Sequence, residues 1–399
     1  MLGPAFFMFP AMSTQRLANI PGFSIDRVAA AAGDDADVLR LENLDTDLAP
    51  PAAAVAATRA AIGTDEANSY LPFVGQTALR EAVAARINRD AGTAFTAGNV
   101  VITCGATEGM LDALLALTDP GDEVVLTDPT YAGMIYRARL AGCTTRLVPF
   151  VEAEEPGGPT WRLDLDALRA AVTPRTRVLF LMNPSMPSGA VLNQEEWNAI
   201  ADLCRERDLW LLYNAAMERI LFDGRTVLHP ASIEGMAERT VIVGSVSKEY
   251  RMIGWRVGWV VAPQPLIDDI ARVHIYNAVT PTGIAQPGAL AALDESEPDY
   301  RRCLAEWQRR RDTVTEQLGG YGMIPAAGGW SQLLDVARLG MKSFQASDLL
   351  LTRGGVAATP IRDWGEVNGD RFVRLVFSNE SVERLATLGA RVERALGSR

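Results

Sequence analysis

The chain has 399 residues, of which 48% are hydrophobic and 22% are charged, a composition typical of an ordinary globular protein with a large core. Its formal net charge of -11 argues against nucleic acid or an anionic membrane as the main partner, because an acidic surface repels both. Any anionic ligand must therefore be held by local cations and backbone amides.

Cysteines and histidines are few and scattered along the chain. The four cysteines form no C-x-x-C pair, which predicts free thiols in a reducing cytoplasm rather than a disulfide framework. His229 and His274 stand alone in the sequence, so we expect no metal site. The apolar residues 1–10 lack a basic leader, and no uncharged run is long enough to cross a bilayer. We therefore expect neither a signal peptide nor a membrane anchor.

The front of the chain reads as an arm rather than a domain. Residues 25–32 have a helical pattern, and Pro50-Pro51 then interrupts any regular element. Residues 68–75, which include Tyr70, have the composition of a loop. Val100–Thr103 is predicted to be a buried strand that leads through a small-residue turn into an apolar helix. This arrangement presents backbone N–H groups and a positive helix end to an anion.

Strand and helix patterns alternate from here to about residue 245. Apolar strand runs occur at residues 124–127, 178–182, 210–213 and 240–244, and helical patterns lie between them. Such alternation predicts an α/β fold, with a mostly parallel sheet covered by helices on both faces. Ligands of such sheets bind at the carboxyl ends of the strands, where the polar turns of this sequence lie.

Four polar side chains follow the strand at residues 240–244. Ser245, Ser247 and Arg256 suit a phosphate dianion, because hydroxyls and a guanidinium fork donate hydrogen bonds to it. Lys248 stands among them and could attack a carbonyl carbon if part of its population is neutral, which a nearby cation favours. The stretch from Ser245 to Trp259 therefore predicts a site for a phosphorylated aldehyde.

The pattern becomes more helical after about residue 290. A long charged helix around residues 300–318 is expected to expose its polar face, and residues 372–377 form a strand that contains Arg374. We therefore predict three sections: residues 1–46 as an arm that also joins the smaller domain, 47–290 as the large domain, and 291–399 as a smaller α+β domain.

Six stretches together resemble the class I/II aminotransferases, which are fold-type I enzymes dependent on pyridoxal phosphate. The stretches are Tyr70 with its Pro and Gly, G-A-T-E-G at 105–109, P-T-Y at 129–131, N-P-S-M-P-S-G at 183–189, the lysine stretch at 245–259, and the Arg374 strand. They occur in the family's order and spacing from about residue 40 to the C-terminus. The resemblance implies a seven-stranded type of sheet and pyridoxal 5'-phosphate as the cofactor.

The resemblance also implies roles for individual residues. Lys248 would bond the aldehyde carbon of the cofactor, and Arg374 would clamp the α-carboxylate of an amino-acid substrate, with Trp330 beside it. Tyr70 would reach the phosphate in the neighbouring subunit, which implies a homodimer. The remaining positions implied to contact the cofactor are Ala106, Thr107, Tyr131, Asn183, Met186, Asn214, Met217, Ser245, Ser247 and Arg256.

Three of these positions depart from the family pattern. Asn214 stands where the family has the aspartate that keeps the ring nitrogen of the cofactor protonated. Met217 replaces the tyrosine and Met186 the asparagine that bond the ring hydroxyl. Losing one partner of a buried ionic contact typically costs about 3–5 kcal/mol. We therefore expect a weaker electron sink and slower simple amino transfer.

Three interpretations follow from these departures. The first is a specialised enzyme that acts at Cα of an L-amino acid and directs it to elimination, decarboxylation or cyclisation. The second is a genuine aminotransferase with an altered ring environment. The third is a non-catalytic protein that binds the cofactor, which the presence of Lys248, Arg256 and Arg374 disfavours. In each case we expect a cytoplasmic protein.

Overall fold

The computed structural model describes residues 14, 16–18, 20–22, 24–295 and 297–397. Residues 1–13, 15, 19 and 23 of the predicted N-terminal arm lie outside this part. Cys104, Cys143, Cys204 and Cys303 are all free thiols. Among the helices described, none combines the length and the apolar character needed to cross a membrane.

The large sheet has eight strands in the order β2-β9-β8-β7-β6-β3-β4-β5. Strands β2, β8, β7, β6, β3 and β4 run in one direction, while β9 and β5 run antiparallel to their neighbours. The strands are β2 (Val100–Thr103), β3 (Glu123–Asp128), β4 (Thr144–Glu155), β5 (Gly158–Leu163), β6 (Thr176–Met182), β7 (Trp210–Asn214), β8 (Thr240–Ser245) and β9 (Gly258–Val261). The predicted α/β fold with a mostly parallel sheet is confirmed, and the β4–β5 hairpin adds an eighth strand.

Helices connect the strands of this sheet and continue beyond it. They are α2 (Ala52–Ala61), α3 (Thr77–Ala91), α4 (Ala106–Leu117), α5 (Ala132–Leu140), α6 (Leu165–Ala171), α7 (Gln194–Arg207), α8 (Leu266–Asn277) and α9 (Gln286–Leu293). The strands are nearly continuous apolar runs, and every residue of β2, β3, β8 and β9 is buried. Such strands are typical of a sheet covered on both faces.

A second sheet takes strands from both ends of the chain, in the order β1-β11-β12-β10. Its strands are β1 (Leu39–Leu41), β10 (Ser331–Asp335), β11 (Val356–Pro360) and β12 (Phe372–Val376). The accompanying helices are α1 (Ser24–Ala32), α10 (Glu297–Gln317), α11 (Ser343–Leu349), α12 (Val382–Leu385) and α13 (Leu388–Leu396). Pairing of β1 with β11 supports our proposal that the section before residue 47 joins the smaller domain.

The register of the large sheet fixes the place of the site. Met182 is paired with Asn214, and Asn214 with Val243, so the carboxyl ends of β6, β7 and β8 lie side by side. Ser245 is paired with Gly258 of β9. Because parallel strands end at one edge of the sheet, residues far apart in sequence meet there.

Candidate active site

A cavity of about 270 Å³ opens at this edge of the sheet. Most of its surface is apolar, and its described lining contains the three cationic side chains Lys248, Arg256 and Arg374 but no carboxylate. The residues that line it are Ile25, Asn43, Leu44, Ala106, Thr107, Met110, Tyr131, Met182, Met186, Asn214, Ala216, Met217, Ser245, Ser247, Lys248, Ile253, Arg256 and Arg374. The cavity is therefore suited to a ligand that combines anionic groups with an apolar part.

Lys248 has the properties of a nucleophilic amine. Its Nζ donates a hydrogen bond to the backbone oxygen of Leu44 at 2.6 Å and lies 5.2 Å from the centre of the Trp330 ring. Burial lowers the pKa of Lys248 to about 7; Asp45 opposes this effect, while Arg374 and Arg256 add to it. Half of the amines are thus neutral near pH 7, as attack on a carbonyl requires.

The start of α4 and the loop after β8 form an anion-binding cradle. Gly105 caps α4 with φ at 75°, and no side chain caps this helix end. A Cβ at Gly105 would collide with the guanidinium of Arg256, so the backbone and this side chain meet closely. Nη1 of Arg256 also lies 3.4 Å from the Ser247 hydroxyl. Arg256 has no ion pair with a carboxylate of the described chain, so its charge remains available to a phosphate.

The lining of the cavity is rich in sulfur. Met110, Met182, Met186 and Met217 all line it. Nδ2 of Asn214 points to the sulfur of Met110 at 3.5 Å, and its Oδ1 accepts the N–H of Ala216 at 3.2 Å. Polarisable thioethers give soft apolar contacts to an aromatic ring but no strong hydrogen bonds. The neutral amide of Asn214 is thus the polar group at the end of β7.

Arg374 is buried without an anionic partner. Its Nη2 donates to the backbone oxygen of Glu42 and to the hydroxyl of Thr359, while Nη1 lies 3.8 Å from the sulfur of Met186. Within the described chain Arg374 forms no salt bridge, and its Nε has no hydrogen-bond partner. Burial lowers its pKa to about 9, although Tyr131 and Glu42 raise it. Binding of a carboxylate to this guanidinium is therefore favourable, because it compensates a buried charge.

Three residues predicted to contact the ligand lie elsewhere. Asn183 accepts the N–H of Leu192 at 2.8 Å, which turns its side chain into the backbone beyond β6. Trp330 is only 1% exposed, packs its ring against Trp307 and lies under the Lys248 amine, outside the lining of the cavity. Asn183 and Trp330 therefore do not line this cavity, and their contact with the ligand stays a prediction. Tyr70 is 71% exposed and does not line the cavity of its own chain.

The remaining predicted residues do converge on the cavity, and others that we did not predict join them. Met110 follows Thr107 by three positions on α4, so helical periodicity could have indicated it. Ile25, Asn43 and Leu44 come from the distant front section, and no local pattern marks them. Their place depends on the long-range pairing of β1.

His274 is not isolated in space as it is in sequence. Its Nδ1 lies 2.7 Å from Oε1 of Glu108, its Nε2 lies 3.0 Å from the backbone oxygen of Phe73, and Asp112 is near. Burial raises the pKa of Asp112 to about 7, and Asn277 opposes this shift. These contacts connect α4 to the loop that contains Tyr70.

Known proteins show the same sequence pattern and architecture. The sequence model of the family described as "Aminotransferase class I and II" matches residues 37–389. The arginine–pyruvate transaminase of Pseudomonas aeruginosa is 35% identical over 355 residues, covering 86% of this chain and 87% of that protein. Aromatic-amino-acid aminotransferase 2 of Thermococcus litoralis is 30% identical over 332 residues, covering 82% of this chain and 84% of that protein.

A solved structure agrees with this result. N-succinyldiaminopimelate aminotransferase from Mycobacterium tuberculosis superimposes with a TM-score of 0.88 at 30% identity, covering 95% of this chain and 99% of that one. The fold and the lysine, arginine and serine groups of the cavity define an enzyme that uses pyridoxal 5'-phosphate. The chain belongs to the class I and II aminotransferases.

These relatives favour amino transfer over the specialised reaction that we expected first. The names of the relatives are those of transaminases, so the second of our three interpretations fits better. Our inference from Asn214, Met186 and Met217 to elimination, decarboxylation or cyclisation gave too much weight to the ring partners. The residues that bind phosphate, aldehyde and carboxylate are common to all these reactions and do not separate them.

Proposed function

We propose that the protein is a genuine aminotransferase that moves the amino group of an L-amino acid to a 2-oxo acid. The observation that carries this proposal is the buried guanidinium of Arg374, which forms no salt bridge within the described chain, in the same cavity as the near-neutral amine of Lys248. One group is suited to an α-carboxylate and the other to a carbonyl carbon. A protein that only held the cofactor would not need both groups in the same cavity.

The residues present fit pyridoxal phosphate on their own chemistry. Ser245, Ser247, Arg256 and the uncapped start of α4 would hold the phosphate, and the methionine sulfurs would pack against the ring. When bound, the cofactor supplies an electron sink for the carbanion at Cα of the amino acid. Lys248 would bond the aldehyde carbon with loss of water and, once the substrate amine has freed it, its neutral amine would be the base placed to move the Cα proton.

We propose that the substrate binds through its carboxylate and leaves its side chain among apolar groups. Arg374 offers a bidentate fork for the carboxylate, while Thr359 and the backbone oxygen of Glu42 hold the fork in place. The described lining has no acidic group that could receive a cationic side chain. We therefore propose for this chain the reaction type of the arginine–pyruvate relative, with pyruvate as a candidate acceptor. We do not propose arginine as the donor.

We propose a homodimer in the cytoplasm. Tyr70 and Leu71 are neighbours in one loop and are 71% and 62% exposed in the single chain, and contiguous exposed apolar side chains often mark an interaction surface. The bond from His274 to the Phe73 carbonyl ties the Tyr70 loop to α8, and the contact of His274 with Glu108 joins α8 to α4. Burial of this surface against a second copy would bring Tyr70 to the partner's phosphate, as the family resemblance implies.

Steady-state assays with and without an oxo-acid acceptor test the proposed reaction. The purified holoenzyme, incubated with each amino acid, should form a new amino acid only when pyruvate or another 2-oxo acid is added. Arg374→Gln should raise KM for the donor by about 100-fold, since it removes a charge-assisted bidentate contact. Release of ammonia or carbon dioxide without acceptor would support the specialised alternative, which the neutral Asn214 still motivates.

A further inference from the structure

A buried ionic cluster adjoins the segments that face the cavity. Its centre is Arg86 of α3, which is only 4% exposed and lies against Glu249 and Glu218. None of these three lines the cavity. The residues that precede the two glutamates do line it, because Glu249 follows Lys248 and Glu218 follows Met217. The cluster therefore contacts the backs of the two segments whose fronts meet the ligand.

Glu249 joins three parts of the chain through one carboxylate. Its Oε2 accepts from Nη2 of Arg86 at 2.5 Å, and its Oε1 accepts the backbone N–H of Arg219 at 3.0 Å. Arg86 also donates to the hydroxyl of Tyr250 at 2.8 Å. Helix α3, the turn after β7 and the loop of Lys248 are thus fastened to one another. The hydroxyl of Tyr213, next to Asn214, lies 3.5 Å from Glu218.

The protonation states of the cluster indicate that its role is not simply to stabilise the fold. Burial raises the pKa of Glu218 to about 8, with Arg86 opposing and Glu249 adding to the shift, so Glu218 is mainly protonated at neutral pH. Although burial disfavours its cation, the carboxylate of Glu249 holds the pKa of Arg86 well above the usual value. Buried ion pairs seldom add net stability compared with apolar packing. In some proteins such groups instead select one fixed conformation.

We propose that Arg86 and Glu249 are positioning residues for this active site. They hold the Lys248 loop and the turn at residues 214–219 in one fixed arrangement, so that the amine and the groups beside the ring face the cofactor together. This inference rests on the proposed function of the cavity. Neither residue touches the cofactor, so each acts through its neighbours in the chain.

Induced circular dichroism of the bound cofactor tests the proposal directly, because it depends on how the ring is held. Glu249→Gln keeps the size of the side chain, and Arg86→Met keeps an unbranched apolar stem while it removes the guanidinium. We expect each holoenzyme to show a visible dichroic band about half that of wild type or less, since sites need their groups fixed within about 10–20°. We also expect kcat to fall about tenfold with KM for the amino acid nearly unchanged.

A double variant and a matched control complete the test. Glu249→Gln with Arg86→Met should lose little more than the worse single variant, because both act through one contact. Glu123→Gln is the control: Glu123 is equally buried and pairs with Arg146 and Arg175, but it lies at the opposite end of the sheet, at the start of β3. It should lower Tm and leave the dichroic band and kcat as in wild type.

The outcomes separate the inference from the proposed function. Wild-type dichroism and kcat in both single variants, with only Tm reduced, would overturn the positioning role. If the wild-type enzyme transferred no amino group, the aminotransferase proposal would be rejected. Altered dichroism in the variants would still support the positioning role in that case. An equal effect of Glu123→Gln would also overturn the inference, because any lost buried ion pair would then suffice.

Discussion

Asn214 stands at the end of β7, where its amide has sulfur atoms rather than charges as neighbours. A carboxylate here would keep the ring nitrogen of the cofactor protonated and strengthen its electron withdrawal. We expect Asn214→Asp to accelerate the reaction with an amino-acid donor by about tenfold, the effect of about 1.4 kcal/mol. Stopped-flow absorbance of the holoenzyme mixed with donor measures this rate.

Asn43→Asp provides the matched control for that substitution. Asn43 lines the same cavity but comes from the front section rather than from β7. It should not accelerate the reaction, because its carboxylate would be added elsewhere in the cavity. If Asn214→Asp were slower than wild type or equal to it, the importance assigned to the ring nitrogen would be refuted.

The amine of Lys248 predicts a distinct pH dependence for cofactor capture. Its pKa is lowered to about 7, so the neutral, reactive amine predominates above that pH and the cation below it. The rate at which apoenzyme takes up pyridoxal phosphate should rise about tenfold per pH unit from pH 5 to pH 7 and level off above pH 8. A phosphorylated analogue without the aldehyde corrects for ionisation of the phosphate. A midpoint near pH 10 would contradict the buried, near-neutral amine.

The anion-binding start of helix α4 brings Gly105 close to the guanidinium of Arg256. A Cβ at Gly105 is disfavoured twice, by its φ of 75° and by collision with the guanidinium. Gly105→Ala should therefore weaken binding of pyridoxal phosphate by about tenfold, because Arg256 must move from the phosphate. Fluorescence titration of the apoenzyme gives the affinity.

Gly92→Ala separates the two effects. Gly92 ends α3 with φ at 66°, yet a Cβ there meets no atom within 4 Å. Both variants should lose about 1 kcal/mol of stability from backbone strain. Only Gly105→Ala should lose affinity for the cofactor, and equal affinities in the two would rule out the close approach as the cause.

Strands and helices could be predicted well because their signals are local. Buried runs such as Thr240–Ser245 mark strands by composition, and the alternation of strand and helix marks a parallel sheet. The start of α7 could be read from Asn193 and Glu196, which form a capping box. Asn183 was assigned to the ligand by its motif, and only the fold reveals its bond to Leu192.

The site could be predicted where one segment supplies several groups, as from Ser245 to Arg256. Groups that meet through long-range pairing could not. Ile25 and Leu44 reach the cavity because the front of the chain joins the second sheet, and Arg86 reaches Glu249 across 163 residues. A local sequence pattern does not show which distant residues lie close in space, so neither contact could be predicted from it.

The assembled molecule should share its active sites between two chains. If Tyr70 acts on the partner's cofactor, a chain with Tyr70→Ala and a chain with Lys248→Ala are each inactive alone but restore one complete site when paired. Co-expression with two different tags, followed by purification of the mixed dimer, provides the sample. We expect roughly half of the wild-type activity per dimer, since one of two sites is intact. An inactive mixed dimer would show that Tyr70 does not act across the interface.

A single turnover without acceptor distinguishes amino transfer from the other reactions of this cofactor. The holoenzyme is mixed with an excess of an L-amino acid that it accepts, and mass spectrometry quantifies the oxo acid, ammonia, carbon dioxide and both cofactor forms. We predict one oxo acid and one aminated cofactor per active site, with neither ammonia nor carbon dioxide, followed by complete return of the aldehyde form when pyruvate is added. Continuous release of ammonia or carbon dioxide, with the cofactor remaining as the aldehyde, would contradict the assignment as an aminotransferase.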